Sequence, residues 1–172
     1  MRKPVHIAVV VLLCLTSACG GQEAANPTSA VPAATQPTPA ATPADSPDAQ
    51  TIIGKLKNAN LGLKNVQVQD EDTDPNNLLG RPNGYASKIA FSDSRVSRDD
   101  TVGAAKDAIE RGGSIEVYPD SAGAKARATY IQEMLKATGF GAEYDYVKGP
   151  ILVRVTGNLT PTKAMDYQAA LA

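Results

Sequence analysis

The sequence predicts an α+β domain for residues 51–172, a two-layer sandwich in which a mostly antiparallel sheet packs against helices. Three observations predict it. Short runs in which apolar and polar residues alternate lie next to one another with turn residues between them, as hairpins require. Other segments repeat apolar residues every three or four positions, as helices covering one face do. The segment, about 120 residues, is the modal size of one domain, and all six tyrosines and both phenylalanines lie within it.

The elements follow in chain order. "TIIGKLKNANLGL" places Ile52, Ile53, Leu56 and Leu61 at helical spacing. Val66 and Val68 alternate with glutamines, and Ile89 and Phe91 with small or polar residues, as half-buried strands do. "DDTVGAAKDAIERGG" reads as a weak helix, with the Asp99-Asp100 pair as its cap and Gly103 weakening its interior. Ile115 and Val117 mark a strand. The clearest helix runs from a cap at Asp120 or Ser121 through Ala124, Ala128, Ile131 and Leu135 to a stop at Gly139. "AEYDYVKGPILVRVTG" reads as a hairpin turning at Lys148-Gly149, with Ile151, Val153 and Val155 on one face. Thr160 caps a last helix with Pro161 at its first position, and Leu159 before the cap can staple to Ala164.

The stretch Thr73–Lys88, "TDPNNLLGRPNGYASK", concentrates turn-forming residues between two strands. Asp74-Pro75 is suited to open a helical turn that carries Leu78 and Leu79 inward, and Gly80 to end it in the left-handed conformation. Pro82-Asn83-Gly84 supplies a tight turn. The bland reading is a structural corner; the functional one adds a binding surface through Arg81, Asn83 and Tyr85. Asp70, Asp72 and Asp74 begin like a calcium loop, but Pro75 and Arg81 stand where that pattern needs glycine and glutamate, so no metal site is assigned.

Location is the better-marked property. Arg2 and Lys3, an apolar run from Val5 to Leu15, and the small residues Thr16, Ser17 and Ala18 describe an export signal over residues 1–18. The run is too short to cross a bilayer, which takes about 20 apolar residues. "LTSAC" resembles a lipobox, with Thr16 where leucine is most frequent, and the resemblance implies cleavage before Cys19 and lipid attachment to it. Cys14 is a poor rival because bulky Leu13 precedes it. The alternative is ordinary secretion with Cys19 kept as a free thiol.

Cleavage there removes His6, the only histidine, and Cys14, the only other cysteine. Without Arg2 and Lys3, 15 basic residues face 18 acidic ones, a formal charge of −3 that predicts no affinity for nucleic acid. Residues 19–50 carry prolines at 27, 32, 37, 39, 43 and 47 and no aromatic residue, the composition of a disordered stalk. In extended polyproline form, at about 3.1 Å per residue, it could reach on the order of 90 Å. Pro27-Thr28 and Pro37-Thr38 are candidate acceptors for O-linked sugar.

The chemistry of catalysis is sparse. No imidazole remains to act as the usual base, and the mature chain has neither G-x-S-x-G nor S-x-x-K. It also lacks G-x-G-x-x-G and a P-loop. Neither an enzyme nor a bound cofactor is expected. Tyr144 and Tyr146 share a parity and therefore a face of the sheet, where they either line a recognition surface or cover the rim of the core. Arg154, of opposite parity to Val153 and Val155, is either a solvated charge or an anion contact.

"TDPNNLLGRPNGYASK", "SIEVYPDSAGAKARATYIQ", "EYDYV", "LVRV" and the closing "LTP…A..Y..AL" together resemble a recurring type of small bacterial surface lipoprotein, found chiefly in Gram-positive organisms, over nearly all of Leu61 to Leu171. The resemblance implies a lipid anchor at the extracytoplasmic face of the cell membrane and brings no catalytic residues. The functional expectation is a non-enzymatic binding module that engages an envelope protein or cell-wall component. The rivals are a surface-protection protein, such as an inhibitor or phage-exclusion lipoprotein, and an accessory subunit of an envelope machine.

Overall fold

A computed structural model describes residues 47–172. The export signal, Cys19 and all but the last residues of the predicted stalk lie outside them. The first helix, α1 (Ala49–Asn58), starts two residues before the predicted domain boundary. Asp48, read as stalk, caps it by accepting the N–H of Thr51 at 2.7 Å, and Ser87 Oγ accepts the N–H of Ala49 at 3.0 Å. Strands β1 (Leu63–Val68) and β2 (Ser87–Asp93) follow, then β3 (Gly112–Val117), helix α2 (Ser121–Thr138), the hairpin β4 (Glu143–Lys148) and β5 (Ile151–Thr156), and helix α3 (Pro161–Leu171). The five strands form one sheet in the order β1-β2-β3-β5-β4, with every neighbouring pair antiparallel.

The helices divide between the two faces of this sheet. On one, Ile89, Phe91, Ile115, Val117, Val153 and Val155 meet Ile52, Ile53 and Leu56 of α1 and Ala164, Tyr167 and Leu171 of α3. Each large aliphatic side chain buried there contributes roughly 1.5–3 kcal/mol, and α1 puts three of them into a ten-residue helix. On the other face Leu152 and Val147 meet Ala124, Ala128, Ile131 and Leu135 of α2. Asp120 caps α2 on the N–H of Gly123 at 2.8 Å, and Gly139 ends it at φ +66°, both as predicted.

Two segments depart from the sequence reading. Leu63 and Val66 both pack on the α1/α3 core although they are three residues apart. A bulge between Lys64 and Gln67, with Asn65 at φ +49°, inserts the extra residue that restores parity. Val68, of the same parity as Val66, lies where no helix covers the strand and is 57% exposed. The helix expected over residues 99–113 does not form. Only single 3₁₀ turns at Asp99–Thr101 and Ile109–Arg111 appear, because Val102 is extended and Gly103 adopts φ +77°. The Arg111 side chain bonds the carbonyls of Ala104 and Ala105, each at 2.7 Å, groups that a helix would have used internally.

Helix α3 is fastened to β2 through Tyr167, and at its C-terminus Lys148 of β4 donates to the carbonyl of Leu171. Tyr167 stacks on Phe91 with centroids 5.7 Å apart and donates its hydroxyl to Asp93 Oδ2 at 2.8 Å. Arg95 grips both oxygens of Asp93 and reaches Asp166 at 2.8 Å. Replacing Tyr167 with alanine leaves a large hole and orphans part of Asp93, so a loss of about 3–5 kcal/mol is expected in urea unfolding.

Candidate functional site

The corner before β2 is a chain of turns rather than the predicted helical turn, and one carboxylate organises it. Asp74 accepts the N–H groups of Asn76, Leu78 and Leu79 at 3.2, 2.8 and 3.1 Å. It also accepts the Tyr85 hydroxyl, at 2.6 and 2.7 Å to its two oxygens, and Lys88 Nζ at 2.8 Å. The capping role predicted for Asp74 is thus present, but its acceptor capacity is filled by a buried cation and a phenol as well. Burial alone would raise the Asp74 pKa; the bonds from Lys88, Tyr85 and Leu78 outweigh it and hold the carboxyl well below its ordinary value. Asp70 turns instead to Thr73 and the local backbone. The three aspartates therefore do not converge, and among the described residues no three His, Cys, Asp or Glu side chains gather as metal ligands would.

This corner and the first three turns of α2 enclose a groove of about 620 Å³ lined by Leu78, Asn83, Tyr118, Ala126, Arg127 and Tyr130. Gly123 on α2 lets the Tyr118 ring approach, since a β-carbon there would come within 3.0 Å of it, while Tyr130, 54% exposed, stands at the rim of the groove. Beneath the groove, Tyr118 donates to Glu116 Oε2 at 2.9 Å, and its ring meets Tyr85 edge-on at 5.7 Å. Burial, then the neighbouring carboxylate, pushes the Tyr118 hydroxyl well above its usual pKa, keeping it a neutral donor. Arg127 lies 3.5 Å from the same Glu116 oxygen and 5.7 Å over the Tyr130 ring. Its Nε has no hydrogen-bond partner among the described residues. The groove can therefore hold a planar or apolar group against Tyr130 and Tyr118 while Arg127 and Asn83 hydrogen-bond its polar edge.

The sequence-predicted site residues separate. Asn83 lines the groove, and Arg81 is exposed beside it, donating to Asn77 Oδ1 at 2.6 Å. Tyr85 is corrected from surface to core: it is 1% exposed, with its hydroxyl committed to Asp74, because the turn at 82–84 folds its ring under the corner. Arg154 is corrected likewise. It is buried, pairing both oxygens of Glu143 at 2.9 and 2.8 Å and reaching Glu116 at 3.2 Å, since α2 roofs that face of β5. Tyr144 and Tyr146 do share a face, but it is the one packed against the α1/α3 core, opposite the groove. Arg127 and Tyr130 were not singled out from sequence. Their signal was their position on α2 outside the apolar positions Ala124, Ala128 and Ile131.

No family model, curated protein or solved structure matches the chain in comparisons with known proteins.

The corner gives two expected outcomes. Gly80 sits at φ +71°, and a β-carbon there would come within 2.6 Å of Glu71 Oε1, so Gly80→Val should lower the unfolding free energy by more than about 1 kcal/mol. Asp74→Asn leaves Lys88 buried and unpaired, for an expected loss of about 3–5 kcal/mol at pH 7 in urea unfolding. Because the folded pKa lies below the unfolded one, Asp74 contributes fully above about pH 4 and the contribution is lost as the pH falls through the folded value. The gap between wild type and variant should therefore narrow in acid.

Proposed function

We propose that this protein is a lipoprotein anchored through Cys19 at the extracytoplasmic face of the cell membrane, and that its domain is a non-enzymatic module binding an envelope protein or wall component. The groove between the 78–84 corner and α2 carries the binding half of this reading, since it joins an exposed tyrosine, a tyrosine floor and a cation in one concavity. The "LTSAC" stretch carries the anchoring half. The acidic groups at and beneath the groove have structural partners: Asp120, in its lining, caps α2 on the N–H of Gly123, and Glu116 below it is held by Arg154 and Tyr118. Such a site supports recognition better than proton transfer.

Photo-crosslinking on living cells tests the binding half, with the probe at Tyr130 and a control at exposed Met165 on α3. A single partner captured at Tyr130 and not at Met165, and diminished by Arg127→Ala, is the expected result; equal diffuse capture at both positions would overturn the assignment. Palmitate labelling tests the anchor. Cys19→Ala should abolish incorporation, and unchanged labelling of that variant would exclude attachment at Cys19.

A further inference from the structure

A different part of the molecule, the edge of the sheet away from the groove, has unpaired backbone groups. The sheet has two edges, β1 and β4. The β1 edge is interrupted by its bulge, and Gln67 spends its side chain on the carbonyl of Lys106, devices that discourage pairing with another chain. The β4 edge has neither. Its register is regular, from Glu143 opposite Thr156 to Lys148 opposite Ile151. In a hairpin closed by the two-residue turn Gly149-Pro150, bonded and non-bonded pairs alternate from Lys148–Ile151. The N–H and C=O groups of Glu143, Asp145 and Val147 therefore point outward. The Glu143 carbonyl already accepts Gln132 Nε2 at 3.2 Å, leaving the backbone groups of Asp145 and Val147 facing outward.

Grooves flank this edge on both sides. One of about 490 Å³ lies towards α2, bounded by Ala128, Gln132, Glu133, Lys136 and Asp145. Another of about 230 Å³ lies towards α3, bounded by Tyr146, Val147, Gln168 and Leu171. Asp145 belongs to both. Its Oδ2 accepts Gln132 Nε2 at 2.7 Å, whereas Oδ1 is buried with no partner among the described residues. The arginine that should neutralise it, Arg154 directly across the strand pair, is taken by Glu143 and Glu116. Burial, opposed by Gln132 but reinforced by Glu143, pushes the Asp145 carboxyl up to about 6.

We propose that the outer edge of β4 is a docking site for an extended, lysine- or arginine-bearing segment of a partner protein, which joins the sheet as a sixth strand. Its backbone bonds Asp145 and Val147; its alternate side chains enter the two grooves, the cation towards Asp145 and Glu133 and an apolar residue towards Tyr146 and Leu171. Charge selects this occupant over two others. A second copy paired through β4 would set its own Asp145 where this occupant presents a cation, since Glu143 of each copy already holds Arg154. Residues 19–46 contain no lysine or arginine and five prolines, which cannot donate to a ladder.

The test uses full-length protein and the blocked peptide Thr-Val-Lys-Val-Thr-Val-Thr, followed by amide chemical shifts and titration. Saturable binding that moves the Asp145 and Val147 amides is expected. It should weaken about tenfold or more on Lys→Glu in the peptide or on N-methylation of the peptide nitrogens facing β4. Asp145→Lys should reverse the preference, favouring the glutamate peptide, which mere loss of folding would not do. Val147→Pro removes an outward N–H together with some of the Val147 packing on α2, so it should block binding even below its own, lowered unfolding temperature, where circular dichroism shows the domain folded. Equal binding of both peptides, shifts confined to the groove beside Tyr130, or self-association through β4 in sedimentation would each overturn the proposal. Failure of binding at β4 leaves the Tyr130 crosslinking result untouched, so the two readings fail separately.

Discussion

The ion pair between Asp74 and Lys88 is the constraint on which the α2 side of the domain rests. Both side chains are almost wholly removed from solvent, at 0% and 5% exposure, so neither charge has water to fall back on. Lys88 belongs to β2 and Asp74 to the turns preceding it, so the pair ties an irregular segment to the rigid sheet. Three backbone N–H groups and the Tyr85 hydroxyl complete the coordination. Once the corner is seated, Leu78 and Leu79 reach the α2 core and Tyr85 meets Tyr118. The near wall of the groove is a by-product of satisfying one buried carboxylate.

The two faces of the sheet are built by different chemistry. Towards α1 and α3 the strands present valine, isoleucine and phenylalanine, and the cohesion is hydrophobic. Towards α2 they present Lys88, Ser114, Glu116, Arg154, Glu143 and Asp145. Here Arg154 bridges Glu116 on β3 and Glu143 on β4 from its place on β5 between them. A buried guanidinium with two carboxylates is a poor source of net stability, but it demands one register, because a one-residue slip would turn the arginine into the apolar layer. The same arrangement explains why Asp145 is left over: the cation across from it is already divided between two other acids.

Much of this was legible beforehand. The Asp120 cap and Gly139 stop of α2, the β4–β5 hairpin and the Thr160-Pro161 start of α3 depend on residues close in sequence, and each stands where local chemistry puts it. Where reading failed, a distant partner had intervened. Residues 99–111 hold helix-compatible alanines, yet Arg111 and Gly103 redirect the backbone. Tyr85 looked like a surface residue because neither its burial under the corner nor its bond to Asp74, eleven residues away, leaves a periodic trace. Arg154 could be placed on the correct face from parity alone, but not identified as buried until α2 was known to cover that face.

By itself, the sequence determined the α+β class, most element boundaries and the division of β5 into an apolar and a polar side. Spacing, capping residues and glycine stops act within a few residues, and alternation carries the two faces of a strand directly. Tertiary structure alone decided that the helices cover both faces, that Tyr85 and Arg154 are interior, that Asn83 joins Arg127 and Tyr130 around a groove, and that β4 is a regular free edge. The physical reason is common to all four. Each depends on which distant surface removes a side chain or strand from water, and that is set by how the helices cross the sheet rather than by any local pattern.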